Sequence, residues 1–103
     1  MTNDIPDRFS WPELPPEMDP PGERDDRSWT VLDEVGVLVE DESATYWEAI
    51  QRIKAGDQTF IKTAYWKYDG EEWNAKPGAA RIEPAVYNEL HARAVTEGIL
   101  ERR

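Results

Sequence analysis

The sequence predicts an α+β fold, in which a small antiparallel sheet, made of one strand and a β-hairpin, is packed by two helices and preceded by an extended proline-rich N-terminal arm. Three observations support this prediction. Prolines are concentrated at the start of the chain, apolar residues then follow strand-like and helical spacings, and a turn dipeptide separates two strand-like segments. We therefore divide the chain into an arm over residues 1–27 and a compact α+β domain over residues 28–103.

The arm is defined by its prolines. Six of the eight prolines in the chain lie in it, at Pro6, Pro12, Pro15, Pro16, Pro20 and Pro21. Proline cannot continue a helix and removes a donor from a strand ladder, so we expect an extended, largely polyproline II conformation. Four apolar side chains would let this arm dock on a neighbouring chain: Phe9, Trp11, Leu14 and Met18.

The first strand of the domain is predicted from Trp29 to Val39. Apolar residues stand at every second position here, interrupted at Asp33, which is the period of a strand that buries one face. Gly36 is a candidate β-bulge. Alternatively, Asp33 and Glu34 divide the segment into two short strands.

A helix is predicted next, beginning at Ser43 or Thr45 and ending at Gly56. Thr45 stands three residues before Glu48, which is the spacing of a reciprocal capping pair. Apolar residues follow at helical intervals and form one stripe: Tyr46, Trp47, Ile50 and Ile53.

A β-hairpin is predicted over residues 59–68 and 71–75, joined by the turn Asp69-Gly70. Counting outward from this turn pairs Trp66 with Trp73 and, nearer the turn, Tyr68 with Glu71 and Lys67 with Glu72. One hairpin face then carries Phe60, Ala64, Trp66, Tyr68 and Trp73. These aromatic side chains are either core residues or an exposed platform for a sugar, a base or a partner's proline-rich arm.

The second helix is predicted over residues 84–97. It follows a turn at residues 76–78 and a short extended piece at 81–82, and Pro84 suits its first turn. Its apolar stripe consists of Val86, Leu90 and Ala94. Gly98 caps the helix, and we expect Ile99 and Leu100 to fold back on its last turn.

The charge of the chain argues against some partners. It has 22 Asp and Glu residues against 12 Lys and Arg, which gives a net charge of -10 and argues against binding to nucleic acid or an anionic membrane. Only four of the twelve basic residues are lysines. A halophilic source, ordinary acidic solubility and imitation of DNA phosphates all fit this composition.

The sequence contains few groups suited to catalysis. Zero cysteines and one histidine, His91, exclude disulfides, thiolate catalysis and His/Cys metal sites. The acidic clusters at residues 25–26, 40–42 and 69–72 lack the alternate spacing of a calcium loop. No nucleophile motif or phosphate-binding glycine loop occurs. We therefore predict that the chain is not an enzyme and has no cofactor, no metal and no catalytic residues.

The location is predicted from what the chain lacks. No apolar run approaches the length of a membrane span, and the first twenty residues are acidic and proline-rich where a signal peptide would be basic and then apolar. We expect a soluble chain that is not secreted by a cleaved signal peptide and is located in the cytoplasm or in a virion.

We predict a noncatalytic structural protein of a larger assembly, such as a virion capsid, connector or tail, whose arm binds a protein partner. The partner is a copy of the chain or a neighbouring subunit, so we expect an oligomer. The predicted partner-binding residues are Phe9, Trp11, Leu14 and Met18 of the arm and Trp66, Tyr68 and Trp73 of the hairpin.

Two alternatives stay open. The first is an acidic inhibitor or regulator that presents the carboxylates of residues 40–42 and 69–72 to a basic partner in place of nucleic-acid phosphates. The second is a nucleic-acid-binding regulator, because the order helix, hairpin, helix is similar in outline to winged-helix proteins. That alternative requires five basic side chains to converge: Arg52, Lys54, Lys62, Lys67 and Lys76.

Overall fold

The computed structural model describes residues 7–20, 29–76 and 82–100. Within these ranges the chain forms one antiparallel sheet of five strands that lie side by side in chain order, followed by one helix. The elements are β1 (Phe9–Ser10), β2 (Thr30–Glu40), β3 (Thr45–Ala55), β4 (Gln58–Tyr68), β5 (Trp73–Ala75) and α1 (Pro84–Thr96). No helix in the described ranges is long and apolar enough to cross a membrane.

The predicted fold class is wrong, because the segment expected to form the first helix is the central strand β3. Its apolar residues divide between the two sheet faces, with Tyr46 and Ile50 on one and Trp47 and Ile53 on the other. Both faces of β3 are covered, so apolar side chains do not alternate with polar ones. Their spacing therefore resembles that of a helical stripe.

The turns on either side of β3 are hairpin turns. Asp41 accepts hydrogen bonds at Oδ1 from the backbone N–H and the hydroxyl of Ser43, which fixes the connection from β2. At the other end, Ala55 pairs with Gln58 across a two-residue turn that begins at Gly56, where φ is 63°. Gly56, predicted to end a helix, instead begins this turn, where a positive φ favours glycine.

The strand predicted from Trp29 is confirmed as β2, but the bulge lies elsewhere. Gly36 pairs regularly with Ala49, whereas the register shifts between Val31 and Asp33, so Leu32 is the extra residue. The segment is one strand, and the alternative of two short strands is wrong.

The hairpin of β4 and β5 is confirmed, with a different register. Tyr68 pairs with Trp73 and Trp66 pairs with Ala75, so the loop holds four residues instead of two. Asp69 closes this loop by accepting hydrogen bonds at Oδ1 from the backbone N–H groups of Glu71 and Glu72, at 2.8 and 2.9 Å. A register shift of two residues leaves every side chain on the sheet face where it was predicted, so Trp66 and Trp73 still share a face.

The C-terminal helix is confirmed as α1, with Val86, Leu90 and Ala94 buried. Gly98 adopts a φ of 80° after its end, and the N–H groups of Ile99 and Leu100 donate to the carbonyl oxygen of Ala94. The turn predicted at residues 76–78 and the extended piece at 81–82 lie largely outside the described residues.

Each sheet face has its own apolar core. On the side covered by α1, here the helix face, the buried cluster consists of Phe9, Val37, Ile50, Val86, Leu90, Ala94 and Ile99. On the opposite side, here the arm face, it consists of Met18, Leu38, Trp47 and Ala49. The arm therefore covers the sheet face opposite α1, whereas the prediction had two helices packing on the sheet.

Candidate functional site

The arm begins as an edge strand of the sheet. Phe9 pairs with Val39, and the N–H of Glu40 donates to the carbonyl oxygen of Arg8 at 2.7 Å. The side chain of Phe9 points to the helix face and is buried in its core. The Arg8 guanidinium lies over this ring and forms an exposed ion pair with Glu83, just before α1. The start of the arm is thus fixed both to β2 and to the helix.

Trp11 also lies on the helix face, at the C-terminal half of α1. The guanidinium of Arg93 lies 4.4 Å from the centre of its indole ring, while Arg93 Nε donates to Glu89 at 2.7 Å. An exposed cation–π contact of this kind contributes about 0.5–1 kcal/mol. Trp11 therefore joins the arm to α1 by a contact that also orders the helix surface.

The arm then passes to the arm face. Met18 is buried there and Leu14 packs beside it, against a floor formed by Leu38, Trp47 and Ala49. Pro15 is buried between these two anchors. Burial of Met18 alone stabilises the docked arm by roughly 1.5–3 kcal/mol.

A tight turn presents the arm to the hairpin of β4 and β5. The N–H of Met18 donates to the carbonyl of Pro15, and Glu17 adopts a φ of 64° at the third position of this turn. That geometry is a type II turn, which normally has glycine where Glu17 stands. The indole N–H of Trp73 donates to the carbonyl oxygen of Pro16 at 2.7 Å, so the turn is held by the platform beneath it.

Tyr68 completes the attachment. Its hydroxyl donates to Glu17 Oε1 at 3.1 Å, and its ring lies 5.1 Å from that of Trp73. Loss of solvation raises the pKa of Tyr68, and the Glu17 carboxylate raises it further. The hydroxyl therefore stays protonated, and able to donate, well above neutral pH.

The predicted site residues fall into two groups. Five of them meet on the arm face, where the arm's Leu14 and Met18 lie near the hairpin's Trp66, Tyr68 and Trp73. The other two, Phe9 and Trp11, lie on the helix face. Trp66 and Trp73 pack against the buried core of the arm face, and Trp73 also contacts the chain's own proline-rich arm. Binding of a separate partner by these residues stays a prediction.

Sequence reasoning missed three participants in this interface. Pro16 and Glu17 contribute a carbonyl and a carboxylate to the hairpin, and Arg93 contributes its cation to Trp11. The adjacent prolines before Glu17 were the available signal, because a Pro-Pro segment exposes carbonyl groups that an indole N–H can reach.

The acidic loops lie at one end of the sheet. Thr45 pairs with Glu40 on one side and Tyr68 on the other, so the connections containing residues 40–42 and 69–72 are neighbours. Backbone hydrogen bonds hold the pKa values of Asp41 and Asp69 below their usual range. The acidic and histidine side chains of the described ranges form no group that could hold a metal ion.

The basic residues required by the winged-helix alternative are dispersed. Arg52 is paired with Asp33 on the helix face, whereas the Lys62 ammonium lies 4.6 Å from the centre of the Trp29 ring on the opposite face. Lys54 and Lys67 lie near opposite ends of the sheet. The helix preceding the hairpin in that outline is also replaced by β3, so the described residues do not have the winged-helix order of elements.

Comparison with protein-family models, with curated proteins and with solved structures finds no significant match to the chain.

Proposed function

We propose that the chain is a noncatalytic structural protein of a larger assembly, such as a virion, and that its arm locks neighbouring copies together. The observation that carries this proposal is the attachment of the arm across the arm face, where Met18 is buried and Trp73 binds the carbonyl of Pro16. An extended segment seated on a preformed platform can make the same contacts with a second copy.

Exchange of the arm between two copies requires no contacts that the single chain lacks. The contacts of Leu14, Met18 and Glu17 are the same whether the platform belongs to the same chain or to a neighbour, so exchange does not sacrifice buried area. Since these contacts are mainly apolar, molar salt does not weaken them as it weakens ion pairs. High salt also favours association of a chain with a net charge of -10, because screening reduces the electrostatic repulsion between copies.

The test is the solution mass of the full chain at low and at molar salt, measured over a range of concentrations. We expect an oligomer that persists at molar salt and becomes a monomer when residues 1–27 are deleted. Because deletion of the arm exposes the arm face, the double variant L14A/M18A serves as a second test of the same contacts in a chain of full length. A full-length chain that is monomeric under all conditions would overturn the proposal.

Complementation makes the test specific for exchange. A chain with a damaged arm (L14A/M18A) keeps its platform, and a chain with a damaged platform (W66A/W73A) keeps its arm. If arms exchange, mixing the two yields a heterodimer that neither variant forms alone. The matched control mixes two differently labelled samples of L14A/M18A, which should not form a dimer.

The position of the acidic loops favours one second candidate, an acidic mimic of nucleic-acid phosphates. Glu42, Glu71 and Glu72 are exposed at the same end of the sheet. Neutralising them (E42Q/E71Q/E72Q) would weaken binding to a basic nucleic-acid-binding protein, steeply so at low salt. The control removes the same charge from exposed positions elsewhere (E13Q/D57N/E97Q), and equal losses in both variants would exclude a local site.

A further inference from the structure

The strand β4 is paired along its whole length on one edge only. On its inner edge every residue pairs with β3. On its outer edge β5 pairs with Trp66–Tyr68, and the N–H of Lys76 donates to the carbonyl oxygen of Tyr65 at 2.8 Å. Over residues 58–64, no described residue pairs with the outer edge of β4.

The bond made by Lys76 shows which backbone groups face outward. In an antiparallel sheet, the N–H and C=O of one residue point to one edge of the strand, and those of the next residue point to the other. Since Tyr65 accepts from Lys76, its groups point outward. The same alternation turns the groups of Thr59, Ile61 and Thr63 outward, at exposed positions where they meet no described hydrogen-bond partner.

The other edges of the sheet carry features that discourage pairing with a further strand. β5 is only three residues long. Beyond the two residues of β1, the edge of β2 has a bulge at Leu32 followed by Asp33 and Glu34. Short strands, bulges and charged side chains protect an edge from pairing. Between residues 58 and 64 of β4 the one charged residue is Lys62, whose ammonium lies over the ring of Trp29, across β3 and away from the outer edge.

Neither α1 nor the arm occupies this outer edge. The helix packs over β2 and β3, and the arm meets β4 near Trp66 and Tyr68, toward the other end of the strand. Phe60 and Ile61 lie on opposite sheet faces and are 46% and 47% exposed. A strand added at this edge would cover both apolar side chains without displacing any described element.

The local charge permits two copies of the chain to approach here. The whole chain has a net charge of -10, but β4 contains two lysines, Lys62 and Lys67, and no acidic residue. Electrostatic repulsion between copies is therefore weaker at this strand than at the acidic surfaces of the sheet.

The sequence of the edge is complementary to itself in the antiparallel direction. A two-fold axis at Ile61 places the two Ile61 residues opposite each other and Thr59 opposite Thr63 of the second copy. These residues have the outward backbone groups, so this register forms about six hydrogen bonds between the strands. It also places Phe60 opposite Lys62 of the second copy, whereas an axis at Lys62 would set two like charges face to face.

We propose that two copies of the chain pair antiparallel through the outer edges of β4, centred on Ile61, and so join their sheets into one continuous sheet. This contact does not involve the arm and does not rest on arm exchange. Because an edge contact buries little area, we expect a Kd on the order of 100 µM. Together with arm exchange it would give each chain two different neighbours, which an assembly larger than a dimer requires.

The first experiment uses the unmodified full chain at about 0.15 M salt. Solvent-exchange rates of the backbone amides are measured by NMR at about 50 µM and about 1 mM protein. The amides of Thr59, Ile61 and Thr63 should exchange about threefold more slowly at the higher concentration, because fewer chains are unpaired there. The amides of Phe60 and Lys62 face β3 in both states and are the internal control. Unchanged rates at the outward amides, or equal slowing at the control amides, would contradict edge pairing.

Charged substitutions at Ile61 test the register. I61K and I61E each place like charges opposite each other at the two-fold axis, so either variant alone should lose the concentration dependence. An equimolar mixture of the two should restore it, because opposite charges then face each other. The matched controls are L32K and L32E, which change the charge equally at a 44% exposed residue of β2 and should keep the dependence. A mixture that restores nothing would overturn the register centred on Ile61.

The L14A/M18A variant distinguishes edge pairing from arm exchange. It removes anchors of the arm and leaves residues 59–63 unchanged, so the slower exchange of the outward amides at high concentration should persist. Arm exchange is measured at about 5 µM protein, where a Kd on the order of 100 µM leaves about nine-tenths of the chains unpaired at the edge. If the amide effect disappears with the arm's anchors, the copies associate through the arm and not through β4.

Discussion

The indole ring of Trp47 occupies the space that a side chain at Gly36 would need. An ideal Cβ at Gly36 would lie 2.5 Å from Cε2 and 2.8 Å from Cη2 of this ring. Trp47 is fully buried in the centre of the arm face, where Leu38 and Met18 pack near it. The glycine in β2 is therefore required by close packing against a neighbouring strand, and the regular pairing of Gly36 with Ala49 shows that no bulge is involved.

We expect G36A to destabilise the fold by about 1–3 kcal/mol, because the new methyl group forces Trp47 out of its position in a close-packed core. Urea unfolding followed by tryptophan fluorescence measures this loss. The pair is tested further in the W47L background, where the smaller side chain leaves room for the methyl group. G36A should lower the free energy of unfolding clearly less in W47L than in the wild type. An equal loss in both backgrounds would show that the two positions are not coupled.

Met18 should be the strongest single anchor of the arm. M18A removes a buried side chain from the arm face, so we expect a loss of about 2–5 kcal/mol in the free energy of unfolding. The matched control is L32A, at a position that is 44% exposed, where the loss should be about 0.5 kcal/mol or less. Similar losses at the two positions would contradict the docking of the arm.

Glu17 should carry backbone strain that its contact with Tyr68 offsets. In a Y68F background, which lacks the hydrogen bond, E17G should stabilise the protein by roughly 0.5–1 kcal/mol, because glycine accepts the positive φ. In the wild-type background the gain should shrink, since the same substitution removes the acceptor of the Tyr68 hydroxyl. Thermal unfolding of the four proteins measures both effects, and an unchanged gain would contradict the contact.

Asp69 should make the stability depend on pH in the acid range. Its folded pKa is lowered by the N–H groups of Glu72 and Glu71, so its contribution is present above the pKa of the unfolded chain, about 3.9, and is lost as the pH falls through the lower folded value. D69N keeps an oxygen acceptor for the loop but does not titrate. Unfolding between pH 5 and pH 2 should therefore depend less steeply on pH in D69N than in the wild type.

Local signals in the sequence were sufficient for three elements. Pro84 and Gly98 bound a helix whose buried stripe repeats every four residues, and this helix is α1. Alternating valines identified β2, and the β-rich run before Asp69-Gly70 identified β4. In each case the residues that fix the element are close together in the chain.

Two elements were predicted wrongly, the segment of β3 and the register of the hairpin. The segment of β3 has helical spacing and a capping pair, but backbone pairing with β2 and β4 along its whole length determines its conformation. The hairpin register was missed for a local reason: Asp69 accepts hydrogen bonds from the N–H groups of Glu71 and Glu72, two and three residues away, and this extends the loop by two residues. The prediction assumed a two-residue turn and did not consider this side-chain contact.

The sequence was sufficient to single out the residues of the candidate site, but it did not show how they are arranged in space. The arm's apolar side chains and the aromatic hairpin were both singled out, but composition alone could not show that they meet within one chain. The outer edge of β4 was not foreseen, because assigning residues 45–56 to a helix removed the strand that pairs with the inner edge of β4.

The attachment of the arm also sets an order of events during synthesis. The contacts of Pro16 with Trp73 and of Glu17 with Tyr68 span 57 and 51 residues, whereas β2, β3 and β4 are joined by short turns. At about 5–20 residues per second, a ribosome makes Trp73 roughly 3–11 s after Pro16. The arm is therefore the first part of the interface to be synthesised, and Pro16 and Glu17 are without their hairpin partners throughout that interval.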